Sequence, residues 1–234
     1  MRTPILISWQ GRAAALLGVM LVSGCSLLPK ETTPLSVYSL DGLPNTGPTA
    51  PTTPALTLLG PAPTLVVNPT RGAPGFDSQH IVYVRTAHQL EHFAHSEWVD
   101  TPARMLEPRI VAAVAAAGSF RGVALATSGM AGDMRLDTEV LRLQQEFGAG
   151  PSRVRFTLRA ALLNNTTRQV ISWREFDEHA VAESDDPYGG VVAANRVVQR
   201  VMDQLSRYCA VAAERWLAPA SPAPKPRDAN LPAR

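Results

Sequence analysis

Residues 153–163 read Arg-Val-Arg-Phe-Thr-Leu-Arg-Ala-Ala-Leu-Leu, and this alternation restricts the fold more than any other stretch of the chain. Successive side chains of an extended strand point to opposite faces. Val154, Phe156, Leu158, Ala160 and Leu162 therefore share one face, and Arg153, Arg155, Thr157 and Arg159 share the other. A strand that is apolar on one side and cationic on the other belongs in an antiparallel sheet with one wet face. Arg135–Phe147 precedes it across Gly148-Ala149-Gly150-Pro151, and Arg168–Val181 follows it across Asn164-Asn165-Thr166-Thr167. The three form a meander. Its arginines expect cross-strand partners in Asp137 and Glu139 on one neighbour, or Glu175 and Asp177 on the other. A solvated face of such pairs accounts for the stripe better than an anionic-lipid site does.

The apolar face needs a cover, and two helices are predicted to supply it. Asp100-Thr101-Pro102-Ala103 pairs a capping residue with proline at the first helical position. Leu106, Ile110, Val111, Val114 and Ala117 follow at helical spacing, and Gly118 ends the run. Pro108 falls inside it, where proline kinks or breaks a helix. A longer helix starts after Ser184-Asp185-Asp186-Pro187. Val191, Ala194, Val198, Val201, Leu205, Tyr208, Ala212 and Trp216 recur along it every three or four residues, an apolar stripe suited to lie on the sheet. Shorter strands are predicted at Leu35–Leu40, Thr64–Asn68 and His80–Arg85. The fold class is thus α+β, a mainly antiparallel sheet of long meander strands with one face covered by two main helices.

Two proline-rich stretches interrupt this pattern. Residues 43–63 carry Pro44, Pro48, Pro51, Pro54, Pro61 and Pro63, and read as a long loop inside one domain spanning 35–217. Residues 218–234 carry Pro219, Pro222, Pro224, Pro226 and Pro232, and read as a disordered tail.

The N-terminus determines where such a domain works. Arg2 and Arg12 precede Ala13–Val22, an apolar run of about 10 residues with the form of a secretory signal. Spanning a bilayer takes about 20. The run ends in Leu21-Val22-Ser23-Gly24-Cys25, which resembles the lipobox of bacterial lipoprotein signals. That resemblance implies a signal peptide over 1–24, cleavage before Cys25, and a lipidated tether over 25–34. Cys25 would carry a diacylglycerol thioether and a further acyl chain such as palmitate. Ser26, where an Asp would retain the protein at the inner membrane, favours the periplasmic leaflet of the outer membrane by the same resemblance. Cleavage removes two arginines and no acid, so the 22 basic and 20 acidic residues come into balance. A neutral body does not adhere to anionic membranes by charge, and the lipid must hold it there. Cys209 is then the remaining cysteine, in apolar surroundings that favour burial.

Catalytic patterns are weak or absent. Gly189-Gly190 is followed by Val191-Val192, so there is no phosphate-binding loop. Gly118-Ser119-Phe120-Arg121-Gly122 puts serine in the wrong place for a nucleophile elbow. His88-Gln89-Leu90-Glu91-His92, with His95 nearby, resembles an inverted zincin motif in which Glu91 would be the base. The segment reads instead as a strand entering a turn, with solvated histidines. No metal, cofactor or catalytic residue is expected.

Several segments together resemble the ABC-type transport auxiliary lipoproteins of Gram-negative bacteria. They are the lipobox at Val22–Cys25, the strand Ser36–Leu40, the run His95–Leu106, Arg135–Val140 and Asp185–Asn195, in that order and spacing. The resemblance implies a periplasmic α+β domain tethered to the outer membrane. It would work beside an Mce-domain protein, a permease and an ATPase that move lipids between membranes. The lipoprotein would do no chemistry itself, and its surfaces would dock the Mce-domain partner or self-associate. Trp98, Tyr188 and Trp216 are the candidate partner-binding aromatics. A pilotin-like assembly factor for an outer-membrane complex is the alternative that the same anchor and body allow.

Overall fold

The computed structural model describes residues 34–41 and 62–218. The expectations for the signal peptide, Cys25 and its tether, most of the 43–63 loop and the tail after Ala218 lie outside the described residues.

The elements run β1 (Ser36–Tyr38), β2 (Thr64–Val67), β3 (Arg71–Gly72), β4 (His80–Val84), β5 (Glu91–Trp98), α1 (Pro102–Ala116), β6 (Gly122–Leu125), a 3-10 turn (Ala126–Ser128), β7 (Met134–Glu146), β8 (Arg153–Asn164), β9 (Val170–Val181) and α2 (Pro187–Leu217). The meander β7–β8–β9 is antiparallel throughout. The 13-residue β7 is the spine of the sheet. One edge of it pairs with β8 along its length. The other edge takes three short strands in turn, all parallel to it: β2 at Met134–Leu136, β3 at Glu139–Val140 and β4 at Gln144–Glu146. Beyond β2 lies β6, and beyond β4 lie β5 and then β1. The long ladders are therefore antiparallel as expected, while most of the short strands join in parallel and make the sheet mixed.

A bulge in β7 keeps its pattern in step with β8. Val140 pairs with Leu158 and Arg142 with Thr157, which leaves Leu141 as the extra residue. Leu136, Thr138 and Val140 face the core before it, and Leu143 and Gln145 after it. One inserted residue reverses the parity of a strand, and here it lets even positions hand over to odd ones without exposing the core.

Both helices cover the apolar face. Thr101 caps α1, its hydroxyl accepting from the Arg104 N–H, and Asp186 caps α2, its carboxylate accepting from the Gly189 N–H at 2.7 Å. Pro108 does not break α1. It lies on the exposed side, as does Arg104 one turn earlier, so the carbonyl it orphans can be hydrated. Leu106, Ile110 and Val114 of α1 join Val191, Ala194, Val198, Val201 and Leu205 of α2 in a single core with Leu136, Phe156, Leu158 and Phe176. Gly190 permits the close seat of α2 on the sheet, since a Cβ there would stand 2.2 Å from Gln145 Oε1.

Candidate docking surface

The four body histidines before α1 do not form a metal centre. His88 sits in a turn with φ 68°, outside the strand, because the turn precedes β5 rather than following it. His92 stacks on His80 with ring centroids 4.4 Å apart. Glu91, the would-be base, accepts a 3.0 Å hydrogen bond from the Tyr83 hydroxyl. No group of three or more His, Cys, Asp or Glu side chains among the described residues could hold a metal ion. Cys209 is fully buried, and burial pushes its thiol up to about 12.

The arginine stripe is paired as its spacing suggests. Arg155 makes a two-pronged bond to Asp177 at 2.9 and 2.6 Å, and Thr157 donates to the same carboxylate. Those bonds hold the Asp177 carboxyl down at about 2. Arg159 lies between Glu139 at 3.5 Å and Glu175 at 3.4 Å. Arg153 meets Glu146 at 3.1 Å, a partner the sequence reading did not name. With each guanidinium beside an acid, the stripe offers no free cationic face to a lipid headgroup.

The three aromatics singled out by sequence separate. Trp98 is 3% exposed and packs in the core, which corrects its reading as a surface anchor. It closes β5, whose last residues turn inward beneath α2. Tyr188 is 62% exposed at the start of α2, and Trp216 is 37% exposed at its end.

Other apolar side chains are exposed at the end of α2 and on β9. Among the described residues β9 is an edge strand, paired with β8 alone. Its second half is blunted by polar side chains of α2. Arg200 donates to the His179 carbonyl and lies 3.3 Å from Glu178, and Gln204 also bonds Glu178. Its first half has no such cover: Val170, Ile171 and Trp173 are exposed there, Trp173 by 65%. Val211, Trp216 and Leu217 are exposed on the last turns of α2. Between the two lies a cavity of about 70 Å³ lined by Ile171, Ser172, Tyr208, Val211, Ala212 and Arg215. Tyr208 packs edge-on to Phe176 at 5.9 Å, and burial raises its hydroxyl pKa. Trp173 was missed by the sequence reading although a signal exists. It shares parity with Glu175 and Asp177, the polar side of β9. Trp173 therefore stands on the sheet face turned away from α2, apart from the cavity that Tyr208, Val211 and Ala212 line.

The family model for the ABC-type transport auxiliary lipoprotein component matches residues 38–206. The chain belongs to that family. The structure of XCC0632 from Xanthomonas campestris, described under family DUF330, superposes on this auxiliary lipoprotein with a TM-score of 0.64 at 20% identity, covering 77% of this chain and 97% of that one. A second solved structure, of an uncharacterized protein, superposes at 0.58 with 15% identity over 76% of this chain and 99% of that one. At these identities the likeness shows the fold. A comparison with curated proteins finds no match. The matched span takes in β2 to β9, α1 and most of α2, starts at the last residue of β1 and ends before Trp216.

Proposed function

We propose that this auxiliary lipoprotein is a non-catalytic part of an ABC/Mce-type lipid transport system. It is held at the periplasmic face of the outer membrane by the lipid on Cys25, and it docks the Mce-domain partner. The family assignment over residues 38–206 carries this reading. It is supported by the lipobox at Cys25 and by the apolar side chains exposed on β9 and at the end of α2. Mechanistically, the lipid supplies local concentration, so a modest protein contact suffices once both partners share the envelope. Leu35 follows Cys25 by ten residues, which span at most about 35 Å when extended. The permease and ATPase supply the energy through other chains.

Affinity purification of the full-length lipoprotein from crosslinked envelopes, followed by mass spectrometry, tests this. An Mce-domain protein with its permease and ATPase is the expected catch. A secretin or outer-membrane barrel instead would sink the proposal. Cys25→Ala should release the protein from the membrane fraction and abolish transport. Unchanged localisation and transport would remove the tether from the mechanism.

A further inference from the structure

The cavity between β9 and the end of α2 joins an apolar wall to hydrogen-bond donors and cations that have no use elsewhere in the fold. Ile171, Val211 and Ala212 form the wall, and Ser172, Tyr208 and Arg215 the polar lining. The Tyr208 hydroxyl is buried without a completed hydrogen bond, and the Ser172 hydroxyl stands beside it. A buried donor left in that state is unfavourable, so an acceptor in the cavity would be bound at an advantage. Two further guanidiniums flank Arg215. Arg207 lies two turns earlier on the same helix row, through Val211. Arg174 leaves β9 on the α2 side and stacks on Phe176 at 5.1 Å. Its charge opposes the rise that burial causes in the Tyr208 pKa, which places it near that hydroxyl. None of the three arginines makes an ion pair among the described residues. On the outer face of the sheet, by contrast, Arg153, Arg155 and Arg159 each have an acid. The acids near the cavity are engaged elsewhere: Glu178 takes Arg200 and Gln204, and Asp203 takes Gln199. The helix dipole accounts for a cation at Arg215, in the last turn of α2, but not for Arg207 or Arg174.

We infer that this cavity binds the headgroup phosphate of an anionic phospholipid, with the adjoining glycerol and first methylenes against Ile171, Val211 and Ala212. A phosphate diester accepts hydrogen bonds and donates none, which suits a site of hydroxyl donors and guanidiniums. The volume of about 70 Å³ is roughly half of the 150 Å³ or so that holds a benzene ring, so the site takes a headgroup and the start of a chain, not a whole acyl tail. The apolar wall separates this ligand from free phosphate, which would lose water against Ile171 and Val211 and bring nothing apolar to cover them. The bilayer as the source of the phosphate rests on the transport reading. Binding to the purified protein needs no partner chain, so either reading can fail alone.

The test reads isoleucine δ1-methyl resonances of the mature lipoprotein in maltoside micelles, which carry neither phosphate nor charge. After residue 24 the chain has only Ile81, Ile110 and Ile171. Ile171 lines the cavity, while Ile81 and Ile110 lie in the core and report an intact fold. Ile171→Val assigns the cavity signal. Dihexanoyl phosphatidylglycerol should shift the Ile171 signal saturably and leave the other two in place. Arg207→Gln and Arg215→Gln should each weaken binding about tenfold, the loss of one charge-assisted contact. Tyr208→Phe keeps the ring, removes the donor and should weaken binding several-fold. An unmoved Ile171 signal would overturn the inference. So would an equal shift by dihexanoylglycerol, which has the same chains and no phosphate, since the cavity would then respond to apolar surface alone. A shift by inorganic phosphate over the same concentration range would also overturn it, because the ligand would then be a free anion and not a lipid.

Discussion

Asp177 and Gly190 show how single residues set the tolerances of this fold. The Asp177 carboxyl is held at about 2, below its ordinary 3.8, first by its bonds to Arg155 and then by Thr157. A carboxylate depressed in the folded state contributes stability that is complete above its unfolded pKa and is lost as pH falls toward the folded one. The window here is pH 4 down to 2. The urea midpoint should therefore drop more steeply across that window for the native protein than for Asp177→Asn. Parallel decline of the two would show that the pair is not coupled to folding. At Gly190 the added methyl of Ala would meet Gln145 Oε1, and the cost should be that of overpacking, about 1–3 kcal/mol. Urea unfolding of Gly190→Ala measures it. Neither property is visible as a pattern. Asp177 was named as a partner from strand parity, but a glycine's duty is known only once its neighbour is.

The elements that were legible are those whose own period reports their surroundings. β8 alternates without a fault, α2 repeats every three or four residues, and Asp186 and Thr101 stand where the caps are. Leu205 lies at the centre of the α2 stripe and is fully buried. Leu205→Ala should cost about 2–5 kcal/mol, against less than 0.5 kcal/mol for an exposed position such as Glu214. β3 and β6 were not legible, because two and four residues are too few to show a period. They are strands through their pairing with β7 and β2. The β7 bulge hides in the same way, since its evidence is the register of another strand. Pro108 argued against α1 on local grounds and lost, because the face it disrupts is wet.

At the scale of the whole molecule, the sheet must avoid pairing with others at β9. Arg200 and Gln204 cover part of that edge, and exposed edges invite association. Replacing both with Ala should produce concentration-dependent self-association in sedimentation velocity, with the native protein unchanged over the same range. An unaltered sedimentation coefficient would mean that strand twist alone protects the edge. The candidate surface was only partly legible. Trp216 and Tyr188 were named, Trp98 proved to be core, and Trp173 was overlooked. One chain's spacing can place an aromatic on a face of its strand. It does not say whether a helix will cover that face, because the cover comes from residues far away in sequence.

The way β1 is held has a mechanical consequence. In the tethered arrangement proposed above, the chain enters the fold at a three-residue strand, which is clipped by Asn195 on the Ser39 carbonyl and Arg109 on the Leu40 carbonyl. The next strand among the described residues is β2 at Thr64. Tension between membrane and body therefore loads this clip before any part of the β7–β8–β9 ladder. If it yields, the meander and both helices keep their register, because β1 pairs with β5 and not with them. The lipoprotein would extend like a fishing line with a drag set at β1, and the force at which that drag slips is fixed by the β1–β5 pairing, the buried Leu40 and the Asn195 and Arg109 side chains.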